Sequence, residues 1–255
     1  MVPKSGLLLL ALIVASCSAL AIESRALGEN EVLVPGVGNI EGVTSTSSWT
    51  QRKIYEFRGY PEKMHSWEPA TFKALDFAPA CPQPGVPDLP AAFQSLVMKP
   101  DEWVLESQRR RTMSPDYDER IIGEENNCLT LDIYTPTLNS SAMLPVLVYI
   151  HGGAFISGSS AGHRPGNLLE RDMILVVPQY RLGPFGFMYL NDPEAPGNMG
   201  LADQALALKW VRNNIEAFGG DPSSITVGGV SAGAASVSLH MLNRNNTGTS
   251  TDYAL

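Results

Sequence analysis

Basic charge is scarce in this sequence. Lys and Arg number 18 against 26 Asp and Glu, for a formal net charge of -8. The cations are scattered except for Arg109-Arg110-Arg111, and that run sits among Glu106, Asp116, Asp118 and Glu119. A nucleic-acid partner needs a clustered basic face, so that class is excluded. Beyond the N-terminus no apolar run is long enough to cross a bilayer as a helix, so no membrane span is expected. Cysteine is limited to three positions and histidine to four, His65, His151, His163 and His240. No internal repeat or low-complexity linker interrupts the chain. Neither a cofactor nor a metal ion is expected.

What is present suits a globular protein. A hydrophobic share of 44% with 17% charged, over 255 residues, allows one large domain or two small ones around a substantial core. Met1 to Ala21 has the parts of a secretory signal peptide. Lys4 gives the positive end, Leu7 to Val14 the short apolar stretch, and Ala19-Leu20-Ala21 a small-x-small cleavage site. An uncleaved anchor and a lipoprotein site at Cys17 are the weaker readings. The remaining domain, 22–255, is therefore expected outside the cell. Cleavage removes Cys17 and leaves Cys81 and Cys128, an even number for an oxidising compartment, so these two are expected to bond. Asn139-Ser140-Ser141 and Asn245-Asn246-Thr247 are acceptor sequons in polar, turn-like stretches, so Asn139 and Asn245 are candidate glycosylation sites.

Periodicity places the elements. Glu31 to Val43 reads as a small hairpin, and Ile54 to Phe57 as a short strand closed by Arg58-Gly59-Tyr60-Pro61. Glu62 to Pro100 is proline-rich and irregular. Leu129 to Tyr134 alternates strictly, as a strand with one buried face does. Pro145 to Ile150 and Met173 to Val177 are continuously apolar, as in strands buried on both faces. Leu201, Ala205, Leu208, Val211, Ile215 and Phe218 fall on one face of a helix from Leu201 to Phe218, stopped by Gly219-Gly220-Asp221-Pro222. Buried strands alternating with helices predict an α/β fold, a mostly parallel sheet with helices on both faces.

The chemistry concentrates in two loops. After a short strand, Ser224 to Gly228, comes Gly229-Val230-Ser231-Ala232-Gly233, which fits G-x-S-x-G, and then an Ala/Leu-rich helix, Ala234 to Leu242. A serine on so sharp a turn projects its hydroxyl beyond the sheet, and the glycines let strand and helix approach closely. The helix start also directs free N–H groups at the same spot. The second loop, His151-Gly152-Gly153-Ala154-Phe155, follows the strand ending at Ile150. Its small residues suit backbone N–H groups that must face a tetrahedral oxyanion. Ala232 would offer a further N–H. His151 precedes the glycines and is read as bracing the loop rather than as a base.

These motifs resemble the type-B carboxylesterase family, which includes cholinesterases and insect juvenile hormone esterases. The matching segments are Asn127 to Tyr134, His151 to Phe155, Tyr180 to Phe187, Asn198 to Gln204, Trp210-Val211, Phe218 to Pro222 and the Ser231 turn. The likeness is dense from Asn127 to Leu242 and thin before it. It implies an α/β-hydrolase fold, Ser231 as nucleophile, and Gly153, Ala154 and Ala232 as oxyanion donors. Gly152 shapes the loop, and Cys81 and Cys128 match the family's first disulfide. The departures are specific. Val230 stands where the family usually has Glu. Glu125-Asn126-Asn127 replaces Ser-Glu-Asp, and Thr71 replaces an Arg whose usual partner is the Glu at the position of Asn126. Losing both charges together leaves no unpaired buried ion. Ser114 to Glu125 contains Tyr117 and no Trp, which argues against choline specificity.

In this fold the triad runs Ser, acid, His. Between Ala232 and Leu255 the one acid is Asp252, and no His follows it. His240 lies on the serine's own helix and faces away by spacing. The expectation is thus the N-terminal part of a secreted serine carboxylesterase, truncated after the nucleophile helix, acting on a small-molecule carboxylic ester. These residues alone are expected to be inactive. The rival reading is a non-catalytic extracellular adhesion or binding module of the same fold, and a weaker one is a secreted lipase.

Overall fold

The computed structural model describes residues 28–35, 37–47, 49–61, 71–83, 128–193 and 195–242. The signal-peptide stretch, His65, Arg109 to Arg111, Asn126 and Asn245 lie outside them. The main sheet has six strands in the order β11-β7-β8-β6-β4-β3. These are β3 (Val43–Thr46), β4 (Lys53–Pro61), β6 (Thr130–Thr135), β7 (Leu144–Ile150), β8 (Ile174–Pro178) and β11 (Gly220–Gly229). The hairpin expected near Glu31 is present as β1 (Glu31–Val34) and β2 (Gly38–Glu41), and β5 (Phe72–Lys73) adds to its edge in parallel. Strand β9 (Tyr189–Asp192) pairs with β10 (Ala195–Pro196).

Several strand expectations need correction. The sheet is mixed among the described residues. β11 pairs with β7, and β7 with β8, in parallel, whereas β8–β6, β6–β4 and β4–β3 are antiparallel. Hydrophobic patterning carries no strand direction, so it could not supply this. The parallel half is the half that carries the serine turn. β4 is longer than Ile54 to Phe57, because a register shift between Phe57 and Tyr60 lets the strand continue past Gly59.

β6 is buried on both faces, not one. Leu131 and Ile133 enter the main core, while Tyr134 joins a second cluster with Ile54, Leu169, Leu175 and Val177. Asp132, which alternation assigned to solvent, is fully buried and accepts the Gly59 N–H at 2.7 Å. β7 deviates the other way. Val146, Val148 and Ile150 are buried, whereas Leu147 and Tyr149 on the opposite face are half-buried. The cover on that face comes from the segment around Leu169. β8 is buried throughout, as expected.

Helix α1 spans Gly183–Phe187, α2 Met199–Asn214, and α3 Ala232–Leu242. α2 passes into a 3-10 turn, Ile215–Phe218, which ends at Gly219 with φ of 88°. That left-handed conformation is what a glycine cap supplies. Side chains of α2 and α3 pack on the same face of the sheet. Trp210, Val211, Ile215, Phe218 and Val237 share one core with Val146, Val148, Ile150, Val176 and Val227. Fully burying such a side chain contributes about 1.5–3 kcal/mol. Cys81 and Cys128 are bonded, across a separation of 47. The chain-entropy model assigns a loop of this size about 4 kcal/mol.

Candidate active site

The parallel register aligns Gly229 with Ile150, so the ends of β11 and β7 lie side by side. Each continues into one of the two loops singled out in the sequence. Beyond β11 the chain turns at Val230 and Ser231 into α3. Ser231 has φ of 54°, a left-handed conformation uncommon outside glycine. Such outliers cost about 1–3 kcal/mol and persist where the surroundings over-determine them. The turn closes with Gly233 N–H on the Val230 carbonyl at 2.8 Å and Ala235 N–H on the Ser231 carbonyl at 3.0 Å. A Cβ on Gly233 would sit 2.0 Å from the Ile150 carbonyl oxygen, and one on Gly229 would sit 2.6 Å from the Gly233 carbonyl carbon. Strand and helix thus meet where only glycine fits. Ser231 itself is exposed, while Ala232 beside it is buried.

Beyond β7 the second loop folds back on itself. Ile156 and Ser157 N–H both donate to the Gly153 carbonyl at 3.0 Å. Gly153 has φ of 121°, and a Cβ there would fall 1.9 Å from the Ser157 carbonyl oxygen. Ala154 and Phe155 follow with φ of 54° and 63°. Three consecutive left-handed residues turn the peptide planes of this loop away from ordinary strand or helix pairing. Gly152 joins the loops, since a Cβ there would lie 2.7 Å from the Val230 carbonyl oxygen and 3.2 Å from the Ser231 Cβ. The structure therefore brings Gly152, at the start of this loop, to the serine turn.

His151 lies beneath this loop. Its Nδ1 is 2.9 Å from the Gly152 carbonyl oxygen, and its ring stacks on Tyr180 at 4.4 Å. The Tyr180 hydroxyl donates to the His151 carbonyl at 2.8 Å. Burial, with the neighbouring His163 adding to it, pushes His151 down to about 4, against the partial offset of its Gly152 contact. It is neutral near pH 7. His163 stacks beyond it at 6.2 Å and contacts Tyr149. His240 is buried between α3 and α2, with Nε2 2.9 Å from Gln204 Oε1. Burial lowers its pKa as well.

Further residues hold the site through contacts between segments distant in sequence. Arg181 grips Asp203 of α2 through Nε at 2.7 Å, Nη2 at 2.8 Å and its own N–H at 3.1 Å. This fixes the Tyr180 to Phe187 segment, whose Gly183 N–H donates to the Phe155 carbonyl at 2.7 Å. Phe187 packs edge-on against Phe155 at 4.9 Å. On the other side, Gln83 pairs with both backbone groups of Gly158. Its one sequence signal is its place two residues after Cys81. Asn139 is exposed at the start of a 3-10 turn, where its side chain accepts the Ser141 N–H at 3.0 Å.

A parallel strand pair ending in a strained serine turn and a folded-back glycine loop defines an α/β-hydrolase. The sequence matches the Carboxylesterase family over residues 29–252, and the chain belongs to that family. It is 46% identical over 136 residues to a carboxylic ester hydrolase of Bombus ignitus, covering 53% of this chain and 24% of that protein. It is 48% identical over 125 residues to juvenile hormone esterase of Tribolium castaneum, covering 48% and 21%. With acetylcholinesterase 1 of Caenorhabditis elegans it shares 52% over 120 residues, covering 46% and 19%. The matched region spans about a quarter or less of these relatives. The crystal structure of juvenile hormone esterase from Manduca sexta, with OTFP covalently attached, superposes with a TM-score of 0.67 at 30% identity. That match covers 86% of this chain and 39% of the other. No helix among the described residues is long and apolar enough to cross a membrane.

Proposed function

We propose that this chain carries the nucleophile and oxyanion half of a secreted serine carboxylesterase acting on small carboxylic esters. Ser231 attacks the ester carbonyl. The N–H groups of Gly153, Ala154 and Ala232 receive the oxyanion that forms. Gly152 permits the close approach of the two loops, and His151 supports the loop from below. The observation that carries this reading is the contact of Gly152 with Val230 and Ser231, which brings both loops to one point. Family membership adds the reaction class. Secretion is supported by the leader-like Met1 to Ala21, by the Cys81–Cys128 bond and by the exposed Asn139 sequon.

A serine hydrolase also needs a base that takes the serine proton and an acid that orients it. Neither His151 nor His240 is suited, because both are buried and engaged elsewhere. The 255 residues alone are thus expected not to turn over esters, and a chain extended by an acid and a His after Leu255 to do so. Short-chain aryl ester hydrolysis tests this. Activity of the extended chain should disappear in Ser231→Ala. Turnover by the 255 residues themselves, lost in Ser231→Ala, would mean that His163 or His240 acts as the base. The engagement of His151 and His240 elsewhere also favours the rival reading, a non-catalytic binding module. An extended chain that stays inert would select it.

A further inference from the structure

We infer that Gln83 is a positioning residue for the oxyanion loop, held in place by the Cys81–Cys128 bond; the inference rests on the site proposed above. The Gly158 N–H donates to Gln83 Oε1 at 2.8 Å, and Gln83 Nε2 donates back to the Gly158 carbonyl at 3.0 Å. A side-chain amide thus pairs with one residue's backbone as a neighbouring strand would, across 75 positions of sequence. The second Nε2 proton reaches the Cys81 carbonyl at 3.2 Å. Cys81 is buried and bonded to Cys128, two residues before the start of β6. Gln83 is therefore tied to the sheet on one side and to the loop on the other.

Gly158 is where the loop can be held. Its φ is 121°, and a Cβ on it would lie 2.5 Å from His151 Nδ1 and 2.6 Å from the Gly152 carbonyl oxygen. The loop's exit consequently packs on its entry, and a shift of Gly158 displaces both His151 and Gly152. Between them lie Gly153, Ala154 and Phe155, all at positive φ. Backbone in such conformations relaxes when its surroundings stop over-determining it. The Gly183 contact fixes Phe155, and Gln83 fixes Gly158, so removing the amide frees the anchor at the loop's exit. The donors would then lose the fixed geometry that stabilising an oxyanion requires.

The test uses the chain extended to supply acid and His, native and with Gln83→Met, which keeps length without the amide, Gln83→Glu, which keeps one acceptor for the Gly158 N–H, and Ser231→Ala. Two quantities are read: amide exchange over 152–158, and 19F-detected affinity for a trifluoromethyl ketone, whose carbonyl carbon bonds to the Ser231 oxygen while the serine proton passes to the supplied His and the carbonyl oxygen becomes an oxyanion. In Gln83→Met, exchange over 152–158 should rise about tenfold or more while β8 stays protected. Its ketone affinity should fall about tenfold or more, with Gln83→Glu between Met and the native residue. Ser231→Ala should remove ketone binding and leave loop exchange unchanged. If Gln83→Met matches the native chain in both readouts while Ser231→Ala loses the ketone, the clamp is wrong and the site stands. Exchange raised uniformly, β8 included, would also overturn it, by making Gln83 a general structural residue. Ketone binding absent from the native chain, or unaffected by Ser231→Ala, would overturn the site and the clamp with it.

Discussion

Replacing Asp132 by Asn should make the protein less sensitive to pH, with a sign and size that follow from burial. Asp132 sits on β6 with its carboxylate inside the protein, and burial raises it from 3.8 to about 6. The Gly59 N–H at 2.7 Å opposes that rise and does not cancel it. A folded state that binds the proton more tightly than the unfolded chain loses stability as pH rises between the two values. Below about pH 4 both states are protonated, and above about pH 6 both are ionised, with the full cost present. The displacement from 3.8 to about 6 corresponds to about 3 kcal/mol. Asn keeps an acceptor for the Gly59 N–H and carries no charge at any pH. Asp132→Asn should therefore gain on the native chain by about 3 kcal/mol between pH 4 and pH 7. Urea unfolding at half-unit steps of pH measures the difference, whatever constant offset the substitution brings. Parallel curves for the two proteins would show that Asp132 ionises freely and that its burial does not govern its charge. A difference that shrinks with rising pH would reverse the sign of the reasoning.

Other outcomes follow from the same geometry. Gly233→Ala forces a Cβ to within 2.0 Å of the Ile150 carbonyl, so it should abolish a cooperative melt or lower its midpoint steeply. Gly162→Ala, where a Cβ meets nothing within 4 Å, should melt like the native chain. Reduction of Cys81–Cys128 should cost about 4 kcal/mol in unfolding experiments, and non-reducing peptide maps that find both thiols free would remove the bond altogether.

The serine turn was readable because its constraint is local. Gly229 and Gly233 are needed where one strand and the next helix touch, and both lie within two residues of Ser231. The Gly152 loop was readable for the same reason. β8 and α2 were legible because each buries a continuous or regularly spaced apolar face. The failures come from what lies next door. Thr130 and Asp132 made β6 look half-exposed, yet both faces are covered, and Asp132 meets Gly59 of β4, far away in sequence. Pro145 to Ile150 looked wholly buried, but Leu147 and Tyr149 meet limited cover among the described residues. Gln83 was invisible because its partner is a glycine backbone, which leaves no side-chain pattern to read.

The central claim is that Ser231 is the nucleophile, held against the Gly152 loop. Its most direct measurement is the site of covalent modification by a p-nitrophenyl phosphonate, read by peptide mass spectrometry on the chain extended to supply acid and His. One equivalent of phosphonyl group on the peptide containing Ser231, with nitrophenol released in step and no label in Ser231→Ala, is the expected result. Labelling of another residue, or labelling undiminished in Ser231→Ala, would contradict it.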